Sequence, residues 1–171
     1  MTVDEAIRTR KSVRAFLDEP IGPETLKEIM EQTRLAPSAR NFQEWRFILV
    51  TDPVKRTMLG EAADGQRFVG DAPVVIVACA ETDKRLMSCG HPSYLLDVAI
   101  ALDHLSLAAA AAGLGTCWIG AFDPAKVRGI LGIPTEIAVI GLMPLGYPAD
   151  PRLQPKQRLD YEIIVRENSW E

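Results

Sequence analysis

The sequence predicts a single α+β domain, with about four helices and four or five strands. Three observations carry this. PVVIVACA (Pro73–Ala80) and EIAVIGLMPL (Glu136–Leu145) are apolar runs of strand length, as expected of strands buried on both faces. Several other segments begin with a capping residue and continue with helical periodicity. Finally, 171 residues with 47% apolar and 25% charged content suit one globular domain, long enough to bury roughly 70% of its unfolded surface.

In chain order, Thr2-Val3-Asp4-Glu5 fits a capping box and predicts a short helix to about Arg8. RTRKSVRAF follows as an extended segment. Pro23 at the first helical position and Glu24 in the first turn start a second helix. Its apolar face is Leu26, Ile29, Met30 and Thr33, and it stops before Pro37. APSARNFQEW is a polar turn leading into the strand Trp45–Thr51. Asp52-Pro53 caps a third helix to about Ala63, and Gly65–Gly70 reads as a loop. After the central strand Pro73–Ala80, Glu81–His91 is polar and irregular.

Pro92 to Ala121 is the stretch around which the chain is organised. Pro92 and Ser93 suit a helix start and Gly113 a left-handed exit. Apolar residues fall on nearly every face, which predicts a helix buried all round, at a domain centre or subunit interface. Asp97, Asp103 and His104 interrupt it, unlike a membrane span. Asp123-Pro124 caps a short helix to about Leu131, ahead of the strand Glu136–Leu145. The tail, Gly146–Asp160, is broken by Pro148, Pro151 and Pro155 and should cross the surface in extended form. It delivers a strand-like Tyr161–Val165 and ends near Trp170.

Composition excludes several classes. A net charge of −4 points away from nucleic acid and anionic membrane surfaces. Asp4, Glu5, Arg8, Arg10 and Lys11 leave no apolar signal-peptide core, so the cytoplasm is the expected location. Cys79, Cys89 and Cys117 lack CxxC spacing, so neither a disulfide framework nor a zinc site is expected; Cys89-Gly-His91 has no second ligand pair. Gly113-Leu114-Gly115 follows a helix and precedes a strand, the reverse of a dinucleotide-binding turn, and the third glycine position is Trp118. No P-loop occurs, and neither His91 nor His104 has a nucleophile in hydrolase-like company.

The groups with binding chemistry are few. Arg10, Ser12 and Arg14 are spaced by two, so an extended backbone turns all three to one side, as a phosphate would require. Taken alone, these residues are better explained as a solvated basic stretch, since a few charges near a terminus are common. Lys156 and Arg158 form a second basic site that could return to that phosphate. Asn41 and Gln43 can match the donors and acceptors of a heterocycle edge, on a loop held by a strand. Gln66 is a further amide with no evident structural task.

RTRKSVRAF, APSARNFQEWRF, DAPVVIVACA, LAAAAAGLGTCWIGAF and the C-terminal GYP with PKQR closely resemble, in this order, the FMN-dependent nitroreductase family, in a compact form. The resemblance implies a central, mostly antiparallel sheet flanked by helices, in an intertwined homodimer with exchanged C-terminal arms. It implies FMN as cofactor, its phosphate and ribityl chain held by Arg10, Ser12, Lys156 and Arg158, with Arg14 near the pyrimidine edge. Pro37, Ser38, Ala39 and Asn41 would approach the ring from the other subunit, and Gln66 would face its pyrimidine side. Trp118, Ile119 and Gly120 would form the turn beneath the ring, their backbone amides reaching its N5 region. Glu44 stands where the family usually has Pro, and Gly120 where several members carry Glu.

The activity implied is ping-pong: NAD(P)H reduces the flavin and leaves, then a nitroaromatic or quinone takes the electrons. The cofactor carries the chemistry, so no dedicated catalytic side chain is needed. A flavin-binding redox sensor or flavin store would share every cofactor contact; steady-state NAD(P)H oxidation separates the two.

Overall fold

The computed structural model describes residues 1–153 and 155–170. Four strands form one antiparallel sheet in the order β1-β2-β4-β3. They are β1 (Trp45–Val50), β2 (Val74–Ala80), β3 (Gly115–Thr116) and β4 (Ala138–Gly146). The helices are α1 (Val3–Thr9), α2 (Pro23–Arg34), α3 (Pro53–Ala62), α4 (Arg67–Asp71), α5 (Ser93–Ala111), α6 (Pro124–Leu131) and α7 (Tyr161–Ile164).

The sheet is built on β2, in which every residue is buried. Its two-residue period sorts the interior into two cores. Val74, Ile76, Ala78 and Ala80 face α5 and α2, packing with Val98, Leu102, Leu105 and Ile29. Val75, Val77 and Cys79 face the other way, toward Leu59, Val69 and Val127 on α3, α4 and α6. Strand β2 pairs with β1 from Trp45↔Ala80 to Val50↔Val75, and with β4 from Val74↔Leu145, with a bulge at Ala78/Cys79.

The expected caps form. Thr2 and Glu5 close a reciprocal capping box, and Asp52 and Asp123 accept backbone N–H bonds at the starts of α3 and α6. Gly113 takes the left-handed conformation (φ 76°) just beyond α5. Three expectations change. Residues 67–71 form α4 rather than a loop, because Phe68 and Val69 supply an apolar turn that packs on α3 and β4. Tyr161–Ile164 is a single helical turn, not a strand: among the described residues no strand pairs with it, and it closes on itself, Ile163 N–H donating to Asp160 O and Val165 N–H to Tyr161 O. Helix α5 is not buried all round. Leu95, Leu96 and Ile100 are 42%, 50% and 38% exposed in the protomer. The tail from Ala149 to Asp160 has no regular secondary structure, as expected, with residue 154 outside the description.

The N-terminal segment crosses β3 closely. Val13 N–H donates to Thr116 O at 2.9 Å, and a Cβ on Gly115 would stand 2.4 Å from Val13 Cγ2. Gly115→Ala should therefore destabilise the fold by about 1–3 kcal/mol. Val13→Ala in the same chain should return part of that loss, as read from urea unfolding midpoints.

Candidate functional site

Arg10, Ser12 and Arg14 do share a cleft, of about 830 Å³. The tail closes its other side with Pro155, Lys156 and Arg158, so the two basic stretches are one site. Chain crossings hold it in shape. Ser12 bridges to Thr116 of β3, Leu17 N–H donates to Tyr147 O, and Ala149 N–H donates to Ala15 O. Lys11, on the opposite parity, donates to the carbonyls of Asp150 (2.7 Å) and Arg152 (2.6 Å) and ties the tail down. Lys156 donates to Ile7 O, in the last turn of α1, where helix carbonyls lack intrahelical partners.

The cleft is electrostatically unfinished. Among the described residues, none of Arg10, Arg14, Lys156 or Arg158 has a carboxylate ion-pair partner. The one carboxylate lining the cleft, Asp150, is engaged by Arg152, whose guanidinium holds it well below the usual carboxylate range. Lys156 lies below the ordinary lysine range through desolvation and the neighbouring charges of Arg10 and Arg158. Cys117, behind the cleft, has its thiol pushed up by burial, opposed by Arg14, Ser12 and Arg10. Converging cations without counter-charges fit a phosphate monoester, which carries close to two negative charges at neutral pH.

Trp118 adjoins this cleft: it is 45% exposed and shares a space of about 260 Å³ with Arg10, Ser12 and Asp103. Ile119 does not offer its amide. It is buried, and its N–H and C=O are both bonded to Leu142 (2.9 and 3.1 Å), because the turn after β3 is stitched onto β4. Trp118 and Gly120, on either side of Ile119, are exposed. Gln66 does have a structural task. Its side-chain N–H groups bond Ala63 O at 3.0 Å and Ala121 O at 3.4 Å, joining the start of α4 to the segment after Gly120.

Pro37, Ser38, Ala39 and Asn41 stand apart from the Arg10 cleft within one protomer. They form a tight turn in which Arg40, Asn41 and Gln43 have positive φ (48°, 59° and 53°). Ser38 Oγ accepts from Gln43 N–H (3.1 Å), and Asp97 Oδ1 accepts from Ala39 N–H (3.0 Å). Asp97 is buried on α5 and pins this turn to it; sequence reasoning treated it only as a polar interruption. The available signal was a carboxylate in the middle of an apolar helix, which needs a partner. Glu44 is also buried, with Oε2 unpaired among the described residues. No group of three or more His, Cys, Asp or Glu suited to a metal occurs among the described residues.

A split-core α+β sheet thus carries a cationic cleft that, among the described residues, lacks carboxylate partners and suits a phosphorylated ligand. The nitroreductase family profile matches residues 7–66 and 61–147. Over 192 residues the chain is 34% identical to a Thermus thermophilus protein described as NADH dehydrogenase, with 91% of each chain covered. It is 30% identical to the Bacillus subtilis FMN reductase (NAD(P)H), over 98% of this chain and 74% of that one. A nitroreductase family protein from Clostridium novyi has a similar solved structure, with TM-score 0.84, 33% identity, and 91% and 89% of the two chains covered. The chain belongs to the nitroreductase family and is an oxidoreductase.

Loss of the Lys156 proton removes one cation from the cleft. Affinity for inorganic phosphate should therefore rise through neutral pH as the anion gains its second charge, then fall as pH rises through the lowered Lys156 pKa. That alkaline fall should vanish in Lys156→Gln, as read by calorimetric titration.

Proposed function

We propose that the protein is a homodimeric, FMN-dependent oxidoreductase that uses NAD(P)H to reduce nitroaromatic and quinone-type acceptors by a ping-pong sequence. The observation that carries this reading is the cleft of Arg10, Ser12, Arg14, Lys156 and Arg158. Its cations lack carboxylate partners and match the phosphate end of FMN in charge and donor type. When bound, the flavin supplies the two-electron chemistry that links NAD(P)H to an acceptor. In balance, a quinone, NAD(P)H and a proton give a hydroquinone and NAD(P)⁺; a nitro group, NAD(P)H and a proton give a nitroso group, water and NAD(P)⁺.

The chain's own residues bind and orient. Arg10 and Ser12, with Lys156 and Arg158, hold the phosphate and ribityl chain. Arg14 puts positive charge at the pyrimidine edge, which favours added negative charge there. Trp118 and Gly120 border the ring, with Ile119 fixing the turn between them through Leu142. Gln66, whose amide nitrogen is already bonded, keeps its oxygen for the pyrimidine side. With Gly120 in place of a carboxylic acid, this turn holds no side-chain acid at that position, and a proton needed there would come from water.

The dimer reading rests on exposed apolar surface. Leu95, Leu96 and Ile100 form a stripe on α5 beside Asp97, the anchor of the Pro37–Asn41 turn, and Leu159, Tyr161, Ile164 and Trp170 of the tail are exposed too. Exposed apolar surface of this kind supports an interface. Covering the α5 stripe with a second copy brings Pro37, Ser38, Ala39 and Asn41 toward the partner's cofactor.

Purified protein titrated with FMN should develop a bound-flavin spectrum that bleaches with NADH under anaerobic conditions. Arg10→Ala should weaken FMN retention by about tenfold or more with an unchanged far-UV circular dichroism spectrum. Unchanged FMN affinity would remove Arg10 from the phosphate site.

A further inference from the structure

A second pocket, of about 290 Å³, lies beside the Pro37–Asn41 turn. Arg40, Phe42, Arg85, Met87 and Ser93 border it. Its volume is at the low end of small-ligand sites, which run from about 300 to 1,000 Å³, and is too small for a dinucleotide. Three observations point to what it takes.

First, the two arginines differ in electrostatic state. Arg85 is held in a fork by Asp83 (2.8 and 2.7 Å), lies 3.9 Å over the Phe42 ring, and also feels the buried charge of Glu44. Its charge is compensated. Arg40 has no ion pair or side-chain hydrogen bond among the described residues.

Second, Arg40 is held in a conformation that arginine rarely adopts, φ 48° and ψ 22°. Such strain persists only where surrounding contacts enforce it, and clusters at functional sites. Here the Asp97–Ala39 and Ser38–Gln43 bonds enforce it on either side of Arg40.

Third, Ser93 is 1% exposed, and its Oγ has no hydrogen-bond partner. It stands at the first turn of α5, a 19-residue helix whose leading N–H groups carry partial positive charge. Asp97, one turn further on, is committed through Oδ1 to Ala39. The pocket thus offers a free guanidinium and apolar walls from Phe42 and Met87, with the unpaired Ser93 hydroxyl buried behind its lining.

We propose that this pocket receives the electron acceptor, and that Arg40 selects flat aromatic acceptors bearing an acid group, a carboxylate or sulfonate. This rests on the reading above, in which the Pro37–Asn41 turn borders the ring of the partner's cofactor. The aromatic body lies between Phe42 and Met87, and the acid pairs with Arg40.

The test uses an acid and its neutral isostere, 4-nitrobenzoate and 4-nitrobenzamide, titrated by calorimetry into FMN-treated full-length protein. The wild type should bind the acid about tenfold more tightly than the amide. Arg40→Gln should bring the two to parity with amide affinity unchanged, and Arg40→Lys should keep part of the preference. Equal affinities in the wild type, or a preference that survives in Arg40→Gln, would overturn the assignment. So would a change in the NADPH-to-NADH ratio of kcat/KM in Arg40→Gln, which would assign the guanidinium to the dinucleotide phosphate. NAD(P)H oxidation with a neutral quinone is followed in parallel. Acid-selective binding without any turnover would keep the acid selectivity of the pocket and sink the reading of nitroaromatic and quinone-type compounds as acceptors; turnover without acid selectivity would do the reverse.

Discussion

The structure depends on burying β2 on both faces. Seven consecutive residues of small or β-branched type leave no polar side, so this strand must lie between neighbouring strands and between two layers of helices. Its alternation divides the interior: even-numbered residues meet α5, and odd-numbered residues meet α3, α4 and α6. Everything that makes a site is hung from that arrangement. Strand β1 delivers the turn before Trp45, β4 carries the segment after β3, and the end of β4 launches the tail.

The cationic cleft follows from chain geometry as much as from composition. Each cation alone is an ordinary surface charge. They converge because residues 12–16 run beside β3 and the end of β4, while Lys11, on the other side of the same extended segment, clamps the tail through two carbonyls. One short stretch does both: Arg10, Ser12 and Arg14 line the cleft, and Lys11, which lines it too, ties down the tail that walls it. Like charges so assembled repel, and the lowered Lys156 pKa records that repulsion together with desolvation. A bound anion removes the repulsion, so this is a site held ready for one.

Helix α5 links the other parts. One side completes the core against β2, while Leu95, Leu96 and Ile100 remain uncovered. Between these faces sits Asp97, which fixes Ala39 and with it a turn carrying three left-handed residues. Core packing, the apolar stripe and the strained turn are therefore mechanically one unit. A buried carboxylate in an apolar helix is costly unless it is hydrogen-bonded, and the turn supplies that bond.

The sequence by itself determined the elements whose cause is local. Thr2, Asp52 and Asp123 stop and start helices through their own side chains, Gly113 ends α5 because only a residue at ease with positive φ serves there, and the β-branched runs are strands by their period. It also assigned Arg10, Ser12 and Arg14 to one side, since a two-residue period needs no tertiary knowledge. Only the tertiary structure decided the rest. Whether Lys156 and Arg158 meet Arg10 depends on a contact across most of the chain. Whether Ile119 keeps its amide depends on Leu142, whether Gln66 is idle depends on Ala121, and whether an apolar helix is covered depends on how many neighbours one protomer supplies. Residues 67–71 took a helical turn because a short segment follows the surface it meets, here made by α3 and β4, whereas the exposed turn at 161–164 closes on its own backbone.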